Sequence, residues 1–279
     1  MHQGITLCTC RYLCGVDYFE KSHRFFASNC SDCIVVHNNW IVGREAKVYR
    51  FKEHLLWMYD KDSYYTNTSQ DYLMYANPIV WPTEKASQAE ELEAMKAALA
   101  LGEMLNRIVI LPRFHCTPAA LGIKPPGTAR EVIAASRLKD LPRVECPLNG
   151  LLNITAFDAV FGDRYRESSF LRHPLVKDEV KVGLSTSSYL IIHSKNADIK
   201  KRLVLFGSAD AGIRELAPST SGDGLVESDI IRLFGNSTDK VLVFHSLYRT
   251  VPAFSSAETK EGFERRIKQA FHAGHYRQL

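Results

Sequence analysis

The segment His37-Asn38-Asn39-Trp40-Ile-Val-Gly43-Arg-Glu-Ala-Lys47 sets a histidine at the end of an apolar run, a glycine in a short turn and a lysine in the first turns of a helix. Each of these residue types suits diphosphate and metal chemistry. An imidazole can complete the coordination of a divalent cation, a glycine lets backbone approach an anion, and a lysine is a compact positive charge for phosphate oxygens. The plainer alternative is a half-buried histidine beside a solvated lysine, which composition alone favours.

Other motifs carry less. Asp60-Lys-Asp62 fits an acidic metal-binding pair formally, but it lies in a Tyr-rich polar stretch and reads as a solvated loop. Phe206-Gly-Ser-Ala-Asp-Ala-Gly212 lacks the lysine of a phosphate loop and reads as a strand-turn-helix joint. His115 and His245 stand at strand ends, where acceptor-binding groups or structural histidines are both at home. Seven cysteines, five of them before residue 34, cannot close into pairs without a remainder, and structural or disulfide-bonded cysteine is favoured over zinc. Four N-x-S/T sequons, at Asn29, Asn67, Asn153 and Asn236, tilt toward a secretory lumen.

Hydrophobic periodicity supplies the elements that would position these groups. Strands are expected at Cys33–Asn38, Arg107–Pro112, Tyr189–His193, Arg202–Phe206 and Lys240–His245. Helices are expected at Glu45–Tyr59, with Val48, Phe51, Leu55 and Met58 as its apolar stripe, after the capping box Ser87-Gln-Ala-Glu90, and near 211–216, 228–234 and 259–271. Residues 60–82 read as a linker or an extended wrap and 117–147 as irregular. Apolar strands alternating with helices predict an α/β fold with a mostly parallel sheet.

Composition bounds the function. With 279 residues, 46% hydrophobic, 24% charged and a net charge of +4 spread without a basic block, the chain is an ordinary globular protein with no default affinity for nucleic acid. No apolar run approaches the roughly 20 residues that span a bilayer.

The run CIVVHNNWIVGREAKVYRFKEHLLW resembles the closing segment of the catalytic domain in the nucleotide-diphospho-sugar transferases of glycosyltransferase family 77. ALALGEMLNRIVILPRFHC, VECPLNGLLNI and RESSFLRHPLV resemble the region that follows it in the hydroxyproline-arabinosyltransferase-like branch. The resemblance implies that residues 1–75 are the incomplete end of a GT-A-like nucleotide-sugar transferase domain and residues 76–279 a second α/β domain. It implies transfer of a sugar from a nucleotide diphosphate to a glycoprotein or polysaccharide hydroxyl in the Golgi lumen, with any membrane anchor upstream. By the same resemblance, His37 would bind a divalent metal, Mn2+ or Mg2+, and Asn39, Gly43 and Lys47 would bind the donor diphosphate. In that lumen Cys116 and Cys146 would be joined. A protein O-fucosyltransferase-like enzyme and a non-catalytic sugar- or protein-binding module are the competing readings.

Overall fold

Short β-branched and aromatic runs build the centre of the molecule, which is given by a computed structural model describing residues 12–14, 35–37, 43–76, 88–116, 144–146, 148–184, 188–191, 213–216, 225–247, 250 and 252–271. In chain order the strands are β1 (Tyr12–Cys14), β2 (Val35–His37), β3 (Tyr72–Tyr75), β4 (Ile108–Ile110), β5 (Phe114–Cys116), β6 (Val144–Cys146), β7 (Tyr165–Arg166), β8 (Ser188–Ile191), β9 (Ile213–Leu216), β10 (Leu225–Val226), β11 (Val241–Ser246) and β12 (Pro252–Ala253). The α-helices are α1 (Arg44–Glu53), α2 (Gln88–Met104), α3 (Ile154–Phe161), α4 (Asp178–Val182), α5 (Glu227–Phe234) and α6 (Ala257–Phe271).

Six strands form one sheet in the order β7-β4-β3-β11-β8-β9, and every neighbouring pair in it is parallel. The remaining strands make the two-stranded pairs β1-β2, β5-β6 and β10-β12. The parallel sheet needs cover on both faces, and alternation along its strands delivers two cores. Leu73, Tyr75, Val109, Leu242 and Phe244 join the larger core with residues of α1, α2, α3, α5 and α6. Tyr72, Ile108, Ile110 and Val241 face the other way, onto Tyr65, Phe170, Val176 and Val180. Each large side chain fully buried there contributes about 1.5 to 3 kcal/mol.

Two devices fix the sheet's amino-terminal edge. At the end of α2, Asn106 takes a positive φ of 50°, and Arg107 N–H donates to the Gly102 carbonyl at 2.7 Å, closing the helix so that β4 can begin at once. Gly102 has to be a glycine, because a Cβ there would lie 2.7 Å from Val109 and 2.8 Å from the Arg107 carbonyl. The buried Arg107 guanidinium then donates to the carbonyls of Tyr72, Asp239 and Ser237 at 3.2, 2.8 and 3.2 Å, tying β3 to the approach to β11.

Several expectations change. Residues 60–82 hold β3, an inner strand, where a linker was expected. Because β3 pairs with β4 and β11 on its two sides, and because Ala46 and Tyr49 of α1 share the larger core, residues 44–75 pack with the later α/β elements. Ile213–Leu216 is a strand where a helix was expected, since four consecutive parallel pairings with β8 outweigh its local propensity. α1 stops at Glu53 and buries Ala46, Tyr49, Arg50 and Glu53, so the expected stripe does not face the core, and Met58 is exposed. Cys146 pairs in register with Phe114, and Cys116 with Val144, which puts the two cysteines on diagonal positions of the β5-β6 ladder. Strand Arg202–Phe206 and the capping serine at 87 lie outside the described residues.

Arg107→Met should lower unfolding stability by about 3 kcal/mol, since three carbonyls, one buried and two part-buried, lose a charged donor. Urea denaturation measures it, and a loss below about 0.5 kcal/mol would remove the role given to this clip.

Candidate functional site

The carboxyl end of α1 and the loop after it form one wall of a cleft, and α3 with the turn after it forms the other. α1 ends in a Schellman motif: Leu56 N–H donates to the Phe51 carbonyl at 2.9 Å and Leu55 N–H to the Lys52 carbonyl at 3.0 Å. Leu55 therefore takes the positive φ, 58°, usually left to glycine. Asp62 and Ser63 are left-handed as well, at 54° and 58°, so three of the four non-glycine residues with positive φ among the described residues lie on this loop. Non-glycine backbone held this way costs about 1 kcal/mol or more per residue and persists where the surroundings over-determine it.

The segment after β7 does the over-determining. Glu167 is fully buried, and its two oxygens accept from Tyr64 Oη at 2.7 Å and Tyr65 Oη at 3.1 Å. Burial and then the Glu167 charge push both tyrosine hydroxyls upward, so they remain proton donors. Ser169 Oγ donates to the Lys52 carbonyl at 2.7 Å. His173 accepts from Leu175 N–H on Nδ1 at 3.2 Å, which leaves its proton on Nε2, 2.9 Å from the Trp57 carbonyl. Its ring stacks on Tyr65 at 3.7 Å. Within the loop, the Asp60 carboxylate accepts from Tyr65 N–H at 2.6 Å and from the Thr66 hydroxyl.

The cleft between the walls has a volume of about 510 Å3 and is lined by Lys52, Trp57, Tyr59, Tyr64, Asp158 and Arg166 among others. An adjoining hollow of about 370 Å3 extends it along α1 toward Arg44 and Val48. Trp57 and Tyr59 meet edge to face at 6.4 Å, with Tyr59 64% exposed, so an aromatic platform stands at the mouth. Deeper in, Lys52 Nζ lies 3.3 Å from the centre of the Tyr64 ring and the Arg166 guanidinium 4.0 Å from it. Asp158 accepts from Tyr165 Oη at 3.0 Å while lining the opposite wall. An aromatic platform, paired cations and a carboxylate acceptor are the groups that hold a polar ring carrying hydroxyls and negative charge.

Of the residues singled out from sequence, Gly43 and Lys47 stand at the start of α1 and neither lines the cleft. Gly43 caps α1 with a φ of +94°, and a Cβ there would stand 2.7 Å from Thr155 Oγ1, so the glycine seats α1 against α3. Lys47 is joined to Gly43 through the first helical hydrogen bond, 3.3 Å, and is exposed. His37 closes β2 in register with Cys14 of β1, and Asn39 lies outside the described residues. Among the described residues no three His, Cys, Asp or Glu side chains gather as a metal-holding group, and Asp60 is occupied within its own loop. Sequence reasoning passed over Lys52, Trp57, Tyr64, Asp158 and Glu167. The signal available was the pairing of the Tyr-rich stretch with RESSFLRH, both polar where core was not expected.

Three consecutive residues at the end of α1 are driven toward their uncharged forms. Burial is the leading cause each time: Lys52 is lowered from 10.5 to about 8, Glu53 raised from 4.5 to about 8, and His54 lowered from 6.5 to about 3. Glu53 accepts from Leu148 N–H at 3.4 Å, which opposes its shift. Glu53 stabilises the fold fully below pH 4.5 and loses that contribution as pH rises to about 8. His54 removes stability as pH falls from 6.5 toward 3. Lys52 costs stability below about pH 8, and the cost is lifted as pH rises from there to 10.5. Stability should therefore fall between pH 6.5 and 8 and recover between 8 and 10.5. Glu53→Gln should flatten the fall and Lys52→Met the recovery, both read from denaturation midpoints across pH. A profile unchanged by either substitution would mean that these groups titrate as they do in water.

No family model matches the chain, and neither a curated protein nor a solved structure shows significant similarity to it.

Proposed function

We propose that the chain handles a carbohydrate: that it is a glycosyltransferase, or the C-terminal portion of one, which moves a sugar from a nucleotide diphosphate to a glycoprotein or polysaccharide hydroxyl. The observation that carries this reading is the cleft itself, with Trp57 and Tyr59 at its mouth and Lys52, Arg166 and Asp158 within. A sugar ring has an apolar face that stacks on indole or phenol and an equator of hydroxyls that need acceptors such as Asp158. The all-parallel sheet is of the kind that nucleotide-using enzymes employ, and the resemblance of the segment around His37 to family 77 transferases points the same way.

In the proposed reaction the acceptor hydroxyl bonds to the anomeric carbon, the bond from that carbon to the diphosphate oxygen breaks, and the hydroxyl proton is lost to a base. Positive charge beside the leaving diphosphate is what this reaction most needs, and Lys52 and Arg166 supply it from this cleft. The divalent metal that the resemblance implies, with His37 as a ligand, remains part of the proposal and would add Lewis acidity when bound.

The proposed compartment is the Golgi lumen, supported by the four sequons. Their side chains differ: Asn236 is exposed just after α5, whereas Asn153 caps α3 by accepting from Ala156 N–H at 3.2 Å. Among the described residues no helix is long and apolar enough to cross a membrane.

A panel of nucleotide-diphosphate sugars and neutral oligosaccharides, read by calorimetry and by sugar transfer, tests the function. Binding should weaken about tenfold in Trp57→Ala. Binding without transfer by any donor would favour a sugar-binding module, and no response to any carbohydrate would contradict the reading. Made in a secretory host, the protein should carry a glycan that Asn236→Gln removes in mass spectrometry. A glycan on Asn153 instead would mean that the α3 cap is not formed when the sugar is attached.

A further inference from the structure

Two cations, Lys52 and Arg166, meet at the Tyr64 ring in the wall of the cleft. Arg166 is only 7% exposed, yet its Nε has no hydrogen-bond partner among the described residues, and its Nη1 reaches only the Tyr165 carbonyl at 2.7 Å. Lys52 Nζ sits against the same Tyr64 ring, at 3.3 Å. Glu167 is the nearest buried carboxylate to both, and its oxygens are already engaged by the Tyr64 and Tyr65 hydroxyls. The three acids that line the cleft are committed or peripheral: Asp158 accepts from Tyr165, Asp62 is exposed beside Lys61 at 3.6 Å, and Asp163 is exposed in the turn after α3. Arg164, also in the lining, is spent on Asn106 Oδ1 and the Gly102 carbonyl at 3.3 Å each. Two cations held against one ring at the wall of a cavity of about 510 Å3, one of them with a buried guanidinium N–H that has no partner among the described residues, is a costly arrangement that a visiting anion would relieve.

We propose that Lys52 and Arg166 form an oxyanion site, sized for a phosphoryl group, at the inner end of the cleft. The guanidinium offers its Nη2–H donors to one oxygen, and the ammonium adds a point charge to a second. The ligand's uncharged portion then extends outward to Asp158, Trp57 and Tyr59. This deepens the carbohydrate reading, on which the outer half of the site rests, but the inner half stands on different residues. It also differs from the sequence expectation, because the anion meets the last turn of α1 at Lys52 and the end of β7 at Arg166, rather than the first turn of α1 at Lys47. A phosphoryl group could arrive on a sugar, within a nucleotide diphosphate or as free pyrophosphate; the shared chemistry is the oxyanion.

Titration of the whole chain with inorganic pyrophosphate, a hexose 1-phosphate and an uncharged methyl hexoside, followed by the Arg166 Nε–H resonance and by calorimetry, tests this. The site predicts that both phosphates shift the Arg166 signal and that the uncharged glycoside does not. Lys52→Met should weaken hexose 1-phosphate binding by about ten- to a hundredfold, while Lys260→Met, on the exposed face of α6, leaves it unchanged. Tighter binding of hexose 1-phosphate than of pyrophosphate would assign the site to sugar phosphates, and the reverse to diphosphates; either supports it. If the methyl hexoside binds as well as the phosphates, the oxyanion site is wrong and the carbohydrate reading survives. If phosphates bind and carbohydrate without phosphate never does, the oxyanion site stands alone. An unmoved Arg166 resonance at millimolar phosphate overturns it.

Discussion

A carboxylate removed from water has to be met by donors, and the way Glu167 is met determines the shape of this molecule's cleft. Its oxygens take the hydroxyls of Tyr64 and Tyr65, adjacent residues of a loop a hundred positions earlier in the chain. That exchange pins the loop 55–66 to the end of β7 and sets the Tyr64 ring against Lys52 and Arg166, which contact the ring rather than the carboxylate oxygens. A direct ion pair there would have closed the pocket. Hydroxyl donors satisfy the acid while leaving the positive charge available.

Neighbouring residues reinforce the same junction. Ser169 and His173 hold the carbonyls of Lys52 and Trp57, and Phe170 reaches the core under the sheet with Tyr65 and Tyr72. The loop can thus carry left-handed backbone at Leu55, Asp62 and Ser63, because each end is fastened to buried side chains. Strain held by a rigid frame beside a cavity is the arrangement expected where a ligand must be met by a preformed surface.

The sheet was legible in the sequence because parallel strands buried on both faces must be written in continuous apolar residues, as at Ile108–Ile110 and Val241–Ser246. The helices at α2, α5 and α6 were legible from their stripes. What escaped includes the apolar helix α3 and elements whose residues look polar. β3 is written Tyr-Leu-Met-Tyr inside a stretch of Asp, Asn, Ser and Thr, and α1 buries Arg50 and Glu53 where periodicity pointed to Val48 and Phe51. The candidate site escaped for the same reason: Glu167, Arg166 and His173 are charged or polar residues whose burial follows from contacts with residues a hundred positions away, which no local pattern encodes. The segment from His37 to Lys47 was visible as a motif, and its glycine proves to have a packing duty against Thr155 that spacing alone could not reveal.

A double-mutant cycle between Tyr64→Phe and Glu167→Gln, measured as unfolding free energy, tests the central claim most directly. If the hydroxyl-carboxylate contact holds the loop to the sheet, the two substitutions should couple by about 1.5 to 3 kcal/mol, the range for a hydrogen bond to a charged group. Effects that add to within about 0.5 kcal/mol would show that the two side chains do not depend on each other, and the account of how the cleft is formed would be contradicted.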